Sequence, residues 1–408
     1  MDTIGMGQLR KNNTRNRILQ IIRTQGRASK IEIKNISRYS MATVLDAVDA
    51  LLADGLVYYA EKGNTKSGRR PTYISLKPEG GYFLGISFHA REATAVLLDY
   101  CGEVLDHKVE AFHPEDVTVE YMVGRLQAML RDMLAAHRAL RPRLLGVGVG
   151  TPGYVDDKNG VCVYYSHIEN FRNVPLQALL EQAADGLPVY LENNSNAMSL
   201  AYKWLHPENV EGSSVIISIR SGVRMSSLIN GILHKGMSLT AGEIGHIRVE
   251  GSSRYCPCGK QGCLDTEASD NAVLEKILAG VKVNRFAPLW EMAGRDSANV
   301  DMDLFIRSVQ AGHADSVALL EEVCARLGEC LAQIINMLNP GKIIFNARLC
   351  ALGPLFFDRI RHSLQDRAIY LALEGLTLEP VAFGDKSAAI GAAAIVMERQ
   401  LACVDAAI

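Results

Sequence analysis

The chain has 408 residues, 48% of them hydrophobic, enough to build two or three buried cores. No apolar run approaches the roughly 18 residues of a membrane span; Ala388 to Met397, among the longest, stops at ten, and the N-terminus sets Arg10, Lys11, Arg15 and Arg17 among polar residues where a signal core would be apolar. The net charge of −2 conceals a division: residues 1–79 hold 14 Lys/Arg against 7 Asp/Glu, a balance of +7, and the remainder 29 against 38, a balance of −9, so only the small basic part is suited to a polyanion.

That basic part reads as three helices in quick succession. Asn13 to Gln25 carries Ile18, Leu19, Ile21 and Ile22 on one stripe and stops at Gly26. Ser29 caps Lys30 to Ile36, with Glu32 in the first turn and Ile33 and Ile36 facing inward. Ser40 caps Met41 to Ala53, whose inward face is Val44, Leu45, Val48, Leu51 and Leu52. Strands at Leu56 to Ala60 and Pro71 to Leu76 enclose a basic loop with Lys62, Lys66, Arg69 and Arg70. A short helix, a tight turn and a longer helix followed by a hairpin is the winged helix-turn-helix order, in which the later helix enters the major groove and the hairpin meets phosphates or an adjacent minor groove. The residues placed for DNA are Arg38, Tyr39, Ser40, Ala42 and Thr43 at the helix start and Lys66, Arg69 and Arg70 on the hairpin. Thr43 suits a base edge or a phosphate, and Ala42 a thymine methyl. A protein-interaction module with merely solvated charges is the competing reading. Ser37 stands in the turn where glycine is common.

Beyond residue 79 the pattern becomes α/β. Tyr82 to Phe88, Glu92 to Leu98 and Glu103 to Phe112 form a meander, followed by a helix from Val117 to Leu140 and a strand from Arg143 to Gly150 that ends in Gly150-Thr151-Pro152-Gly153. Val189 to Glu192 is a strand ending at Asn193-Asn194, with a helix from Ala197 to Leu205 behind it. The second half repeats the plan with strands Ser214 to Ile219, Met225 to Ile229 and Ile232 to Lys235. Helices Asp270 to Gly280, Asp301 to Ala311 and Ser316 to Leu338, the strand Lys342 to Asn346 and a closing helix Ser387 to Leu401 follow. Two such halves imply two lobes around a cleft. The expected division is a winged head at 1–78, a first lobe at 79–196 completed by the helix near 386–403, and a second lobe at 197–385.

Between the strands and helices of the second half lies the most concentrated chemistry. His246, Cys256, Cys258 and Cys263 fall within 18 residues, with glycines at 251, 259 and 262 to let the backbone turn about a point. One imidazole and three thiols are a complete tetrahedral set for Zn2+, and a set with every position filled by protein has no place for a reactive water. The metal is therefore expected to be structural. The nine cysteines are odd in number and show no extracellular framework, which fits a reducing, cytoplasmic location.

The stretch Gly242-Glu243-x-Gly245-His246 with Cys-x-Cys-Gly-x-x-Gly-Cys-Leu resembles the signature of the ROK family of repressors and sugar kinases. The wing Ser67-Gly68-Arg69-Arg70-Pro71 with its helices resembles the repressor branch of the Mlc/NagC/XylR type. The resemblance spans about residues 10 to 400. It implies a two-lobed, actin-like ATPase body of the sugar-kinase kind, zinc at His246, Cys256, Cys258 and Cys263, and assembly as a homodimer or tetramer.

Set against the family's kinases, four features are altered. The Asp-x-Gly-Gly-Thr turn is here Ser87-Phe88-His89-Ala90-Arg91, and the Gly-Thr-Gly-x-Gly turn is Ile219-Arg220-Ser221-Gly222-Val223-Arg224. The Gly-Gly pair near the adenosine is Asn346-Ala347, and the Glu-Asn-Asp-x-Asn motif, whose aspartate is the base, is Glu192-Asn193-Asn194-Ser195-Asn196. Glycine turns let backbone amides approach phosphates, and an amide at 194 cannot take a proton near neutral pH. The body is therefore expected not to be an enzyme. The same resemblance puts Asn193, Asn194, Glu243, His246 and Asp265 against sugar hydroxyls, with Gly150 to Gly153 and Ser166 to Phe171 as a further wall. Asp265 stands where the family usually has glutamate. A cleft lined by merely solvated polar groups is the alternative.

The resulting expectation is a transcriptional regulator, most simply a repressor of carbohydrate-utilisation genes, that binds a double-stranded operator and senses a sugar or sugar phosphate. Control by a protein partner, such as a sugar-transport component, is an alternative. An active ATP-dependent sugar kinase is the enzyme alternative.

Overall fold

Two serines decide where the N-terminal helices begin. Ser29 Oγ accepts the Glu32 amide at 3.3 Å while the Glu32 carboxylate accepts the Ser29 amide at 2.7 Å, a reciprocal capping box. Ser40 Oγ accepts the Thr43 amide at 3.1 Å. The computed structural model describes residues 6–62, 71–112, 118–165, 168–206 and 212–401. In it the head consists of α1 (Met6–Gln25), β1 (Ala28–Ser29), α2 (Lys30–Ser37), α3 (Met41–Ala53), β2 (Val57–Lys62) and β3 (Thr72–Leu76), the strands pairing antiparallel in the order β1-β3-β2. Ile18, Ile22, Ile33, Val44, Val48 and Leu51 are fully buried between the helices. Ile36 and Leu45, expected inward, are exposed: on α3 the buried stripe is Val44, Ala47, Val48 and Leu51, which leaves Leu45 on the flank. Gly26 ends α1 at a φ of 68°. The turn before α3 takes its left-handed residue at Arg38, φ 60°, a conformation costing a side-chain-bearing residue roughly 1–2 kcal/mol.

The chain divides into two units, Met1–Glu208 with Phe383–Ile408, and Asn209–Ala382. Beyond the head, the first holds β4 (Tyr82–His89), β5 (Glu92–Asp99), β6 (Val104–Ala111), α4 (Val119–Ala136), β7 (Leu144–Thr151), β8 (Tyr154–Asp156), β9 (Val161–Tyr164), β10 (Arg172–Val174), α5 (Leu176–Glu181), β11 (Val189–Asn193) and α6 (Asn194–Leu205). Its main sheet runs β11-β7-β4-β5-β6, and β8 to β10 make a small sheet of their own. The helix expected over 117–140 stops at Ala136, and a short 3₁₀ stretch containing Pro142 follows. The C-terminal helix, residues Ser387–Leu401, packs on β4 and β7 because both strands present glycine to it. A Cβ at Gly85 would strike the Ala389 carbonyl, and one at Gly148 the Ala392 carbonyl.

The same helix binds α6: Gly391 lies against Ala197 and Met198, and Glu398 accepts from Lys203 Nζ at 2.9 Å and Trp204 Nε1 at 2.8 Å. This packing keeps α6 in the first unit, so the boundary expected after residue 196 lies beyond that helix. The head also falls within this unit.

The second unit contains β12 (Ser213–Ile219), β13 (Val223–Ile229), β14 (Ile232–Leu233), α7 (Asp265–Ala268), α8 (Asp270–Val281), α9 (Ala287–Met292), α10 (Met302–Gln310), α11 (Ala314–Leu338), β15 (Lys342–Ala347), α12 (Pro354–Gln365), α13 (Tyr370–Leu373) and β16 (Thr377–Pro380); α14 is the C-terminal helix Ser387–Leu401. Its sheet runs β14-β13-β12-β15-β16. An antiparallel meander flanked by two parallel strands is thus built twice in the same order. Ile217, Val273, Leu320, Phe345 and Phe356 are among the fully buried side chains of its core.

Candidate metal centre and ligand site

After β14 the chain folds back on β13, and glycine makes this possible. A Cβ on Gly242 would run into the Met225 carbonyl, and one on Gly245 into Asp265 and the Val223 carbonyl. The Met225 amide donates to the Gly242 carbonyl at 2.8 Å, which fixes the loop carrying Glu243 and His246. The cysteine loop is a tight hairpin: Cys256 N donates to Lys260 O at 2.8 Å and Gly259 N to Cys256 O at 2.9 Å, with Gly259 at φ 88°. His246, Cys256, Cys258 and Cys263 consequently converge, their ligand atoms all within 4.8 Å of one another. His246 Nδ1 lies 3.8 Å from Cys256 Sγ, and Cys258 Sγ 3.7 Å from Cys263 Sγ. A tetrahedron with metal–sulfur distances near 2.3 Å has edges of about 3.8 Å, so this cluster fits a metal ion.

Close to the quartet, Glu243 pairs with Arg224 of β13, and Asp265 Oδ1 accepts the Val223 amide at 2.6 Å. Burial raises the carboxyl pKa at both Glu243 and Asp265, against the lowering pull of the Arg224 guanidinium on Glu243 and of the Val223 amide hydrogen bond on Asp265. Three of the expected sugar residues, Glu243, His246 and Asp265, thus sit together in the second unit. Asn193 and Asn194 belong to the first. Asn193 caps α6, its Oδ1 accepting the Ser195 amide at 2.9 Å, while its Nδ2 donates to Gly153 O at 2.8 Å. Asn194 Nδ2 donates to Phe88 O at 3.1 Å, and its Oδ1 is buried without a partner. Glu192 Oε1 accepts the Asn193 amide and Asn196 Nδ2, at 2.9 and 3.0 Å. Both asparagines are therefore already engaged within their own unit.

In the head, Arg38, Ser40 and Ala42 are exposed and Tyr39 and Thr43 half-buried, grouped at the start of α3. The Thr43 hydroxyl lies 2.8 Å from Ser40 Oγ. Lys66, Arg69 and Arg70, like Ser166 and His167 of the expected wall, lie outside the described residues. Sequence reasoning missed Arg224 as a neighbour of Glu243. Its signal was an arginine in the stretch that the resemblance matches to a glycine-rich turn of the kinases.

A head of three helices and an antiparallel sheet shares the first unit with one five-stranded sheet, and the second unit carries a sheet of matching strand order and the Cys/His cluster, the two-sheet plan of an actin-like body. The model of the ROK family matches residues 83–399, and the chain belongs to that family. It is 27% identical over 384 residues to the xylose repressor of Caldicellulosiruptor bescii, covering 91% of this chain and 92% of that protein. It is 25% identical over 321 residues to the glucokinase of Halalkalibacterium halodurans, covering 78% of this chain and 96% of the glucokinase. A crystal structure of a ROK family transcriptional regulator, a homologue of the Escherichia coli MLC protein, has the same fold, with a TM-score of 0.82 at 23% identity over 96% of this chain and 97% of that one. No helix among the described residues is long and apolar enough to cross a membrane.

Proposed function

We propose that this protein is a transcriptional repressor of carbohydrate-utilisation genes, acting in the cytoplasm, whose kinase-like body binds a sugar or sugar phosphate instead of phosphorylating it. The reading rests on the union in one chain of a head of three helices and an antiparallel sheet with a body that has Asn194 where the resemblance to the kinases puts their base, its Nδ2 donating to the Phe88 carbonyl. An amide supplies no base, and loss of a positioned base typically costs about 10²–10⁴ in rate. The likeness to a xylose repressor across 91% of the chain supports the same reading.

Arg38, Tyr39, Ser40, Ala42 and Thr43 would meet base edges and phosphates from α3, and Lys66, Arg69 and Arg70 the backbone from the hairpin. Paired heads of a homodimer or tetramer would match a two-fold operator. Zinc at His246, Cys256, Cys258 and Cys263 would be structural, holding the loop that carries Glu243. Effector binding would change operator affinity by its differential affinity for two arrangements of the body.

Genome-wide mapping of bound DNA, followed by titration of the purified chain with the recovered operator and a sugar panel, tests the proposal. The expected result is salt-sensitive operator binding that one sugar or sugar phosphate weakens, with no phosphoryl transfer from ATP in a coupled assay. Indifference to duplex DNA, or brisk sugar-dependent ATP consumption, would overturn it.

A further inference from the structure

The stretch matched to the glycine-rich turn of the kinases carries two guanidinium groups here, Arg220 in the turn and Arg224 at the start of β13. Arg220 Nη2 donates to Asn346 Oδ1 at 3.0 Å, a bond within the second unit's own scaffold. Arg224 faces Glu243 instead, beside His246 and Asp265. Its side chain is 16% exposed and that of Glu243 24%. Glu243 occupies only Nη1; Arg224 Nε is shut off from solvent and has no hydrogen-bond partner.

A site for a neutral sugar is served by carboxylates and amides, which give and accept paired hydrogen bonds to hydroxyls. It has no need of a half-buried arginine, and a buried N–H left without an acceptor is unfavourable. Guanidinium groups present their N–H bonds as a planar fork that matches a carboxylate or phosphate through two parallel bonds. With Glu243 on one corner, the orphaned Nε–H still lacks the acceptor such a fork is made for.

We infer that Arg224 is the specificity-determining residue of the effector site and selects a monosaccharide bearing an anionic group, phosphate or carboxylate. This inference rests on the sugar-sensing reading above. The anionic group takes up the Nε edge of Arg224, closed to solvent without ligand, as that side chain shifts to meet it, while Glu243 and Asp265 remain as acceptors for the sugar's hydroxyls. The pairing of Glu243 with Arg224 keeps the guanidinium in place before ligand arrives.

The test uses the full-length protein with its metal. Calorimetric titration and thermal shift are run against neutral pentoses, hexoses and N-acetylhexosamines, their phosphate esters, the matching uronic acids, and inorganic phosphate. At least one anionic sugar should bind about 10–100-fold more tightly than its neutral parent, the size of a charge-assisted hydrogen bond. Whether the phosphate esters or the uronic acids give that result identifies the group. Arg224→Gln should abolish the preference while the neutral parent's affinity changes little, and Arg224→Lys, which keeps the charge without the fork, should retain part of it. The wild-type panel stands by itself if a variant fails to fold. A neutral sugar binding as tightly as every anionic form would overturn the inference and leave the sugar-sensing reading intact. Inorganic phosphate binding as tightly as the best ester would overturn it by showing that the sugar contributes nothing. Silence across the whole panel would overturn both.

Discussion

Asp270 shows what a single buried charge does in the second unit. It is 8% exposed, its Oδ1 lacks a partner, and Arg348 Nε lies 3.8 Å from its Oδ2. Burial pushes its pKa up to about 6, more than Arg220 and Arg348 pull it down. A carboxyl whose folded pKa exceeds its unfolded value, 3.8, favours the folded state when protonated, so its contribution worsens as pH rises from about 4 to 6. Asp270→Asn should match the wild type near pH 4 and exceed it at pH 7 by at most ~3 kcal/mol; thermal melts across that range check the difference. At the candidate metal centre the direction is opposite: Cys258→Ser removes one of four converging donors, so bound metal, measured by atomic absorption, and the melting temperature should both fall. The quartet was legible in the sequence because its members lie within 18 residues of each other and the intervening glycines permit a tight loop. The Arg224–Glu243 pair was not. Its members are 19 residues apart in the chain, and they meet only because Gly242 lets the loop settle on β13.

Elements whose ends carry their own chemistry were readable in advance: α2 and α3 begin where Ser29 and Ser40 place them, and the meander strands follow their apolar runs. Short elements defined by their neighbours were not. Strands β8 to β10 have three or four residues each, and β16, also four residues long, is recognisable only through its parallel pairing with β15. The start of α6 was placed three residues late, since Asn193-Asn194-Ser195-Asn196 reads as a polar turn until Asn193 is seen capping the helix. Glycines inside β4 and β7 weaken a strand by propensity, yet here they set the distance at which α14 can lie on the sheet. Gly148→Ala must displace the backbone at Ala392, because no side-chain rotation relieves the collision. Destabilisation of at least about 1–3 kcal/mol is expected, measured by denaturant unfolding. Gly124, on α4 with open space where a Cβ would stand, is the control: Gly124→Ala should be neutral or stabilising.

For the molecule as a whole, the opposite charge balances of head and body separate two kinds of substitution. Thr43→Ala or Arg69→Ala should weaken operator binding and leave the melting of the body unchanged; if Arg69 contacts a phosphate, its loss should also reduce the salt dependence of binding by about one ion. The link between head and first lobe makes a sharper demand. Arg23 on α1 donates to the Tyr100 carbonyl at 2.6 Å and to the Cys101 carbonyl at 3.5 Å, its guanidinium 5.5 Å from the centre of the Tyr100 ring. The same turn contains Gly102, φ 99°, against which Leu205 at the end of α6 is packed, and α6 begins at Asn193 and Asn194. One helix thus runs from two of the candidate ligand residues to the turn that holds the head. Arg23→Gln removes a charged donor worth roughly 1.5–3 kcal/mol but none of the residues placed for DNA. Operator affinity without effector should therefore persist. The change in affinity that effector brings, usually 5–150-fold in coupled systems, should shrink towards unity. Fluorescence anisotropy of labelled operator, with and without saturating effector, gives both quantities. An undiminished ratio would mean that the signal leaves the body by a route that does not include this turn.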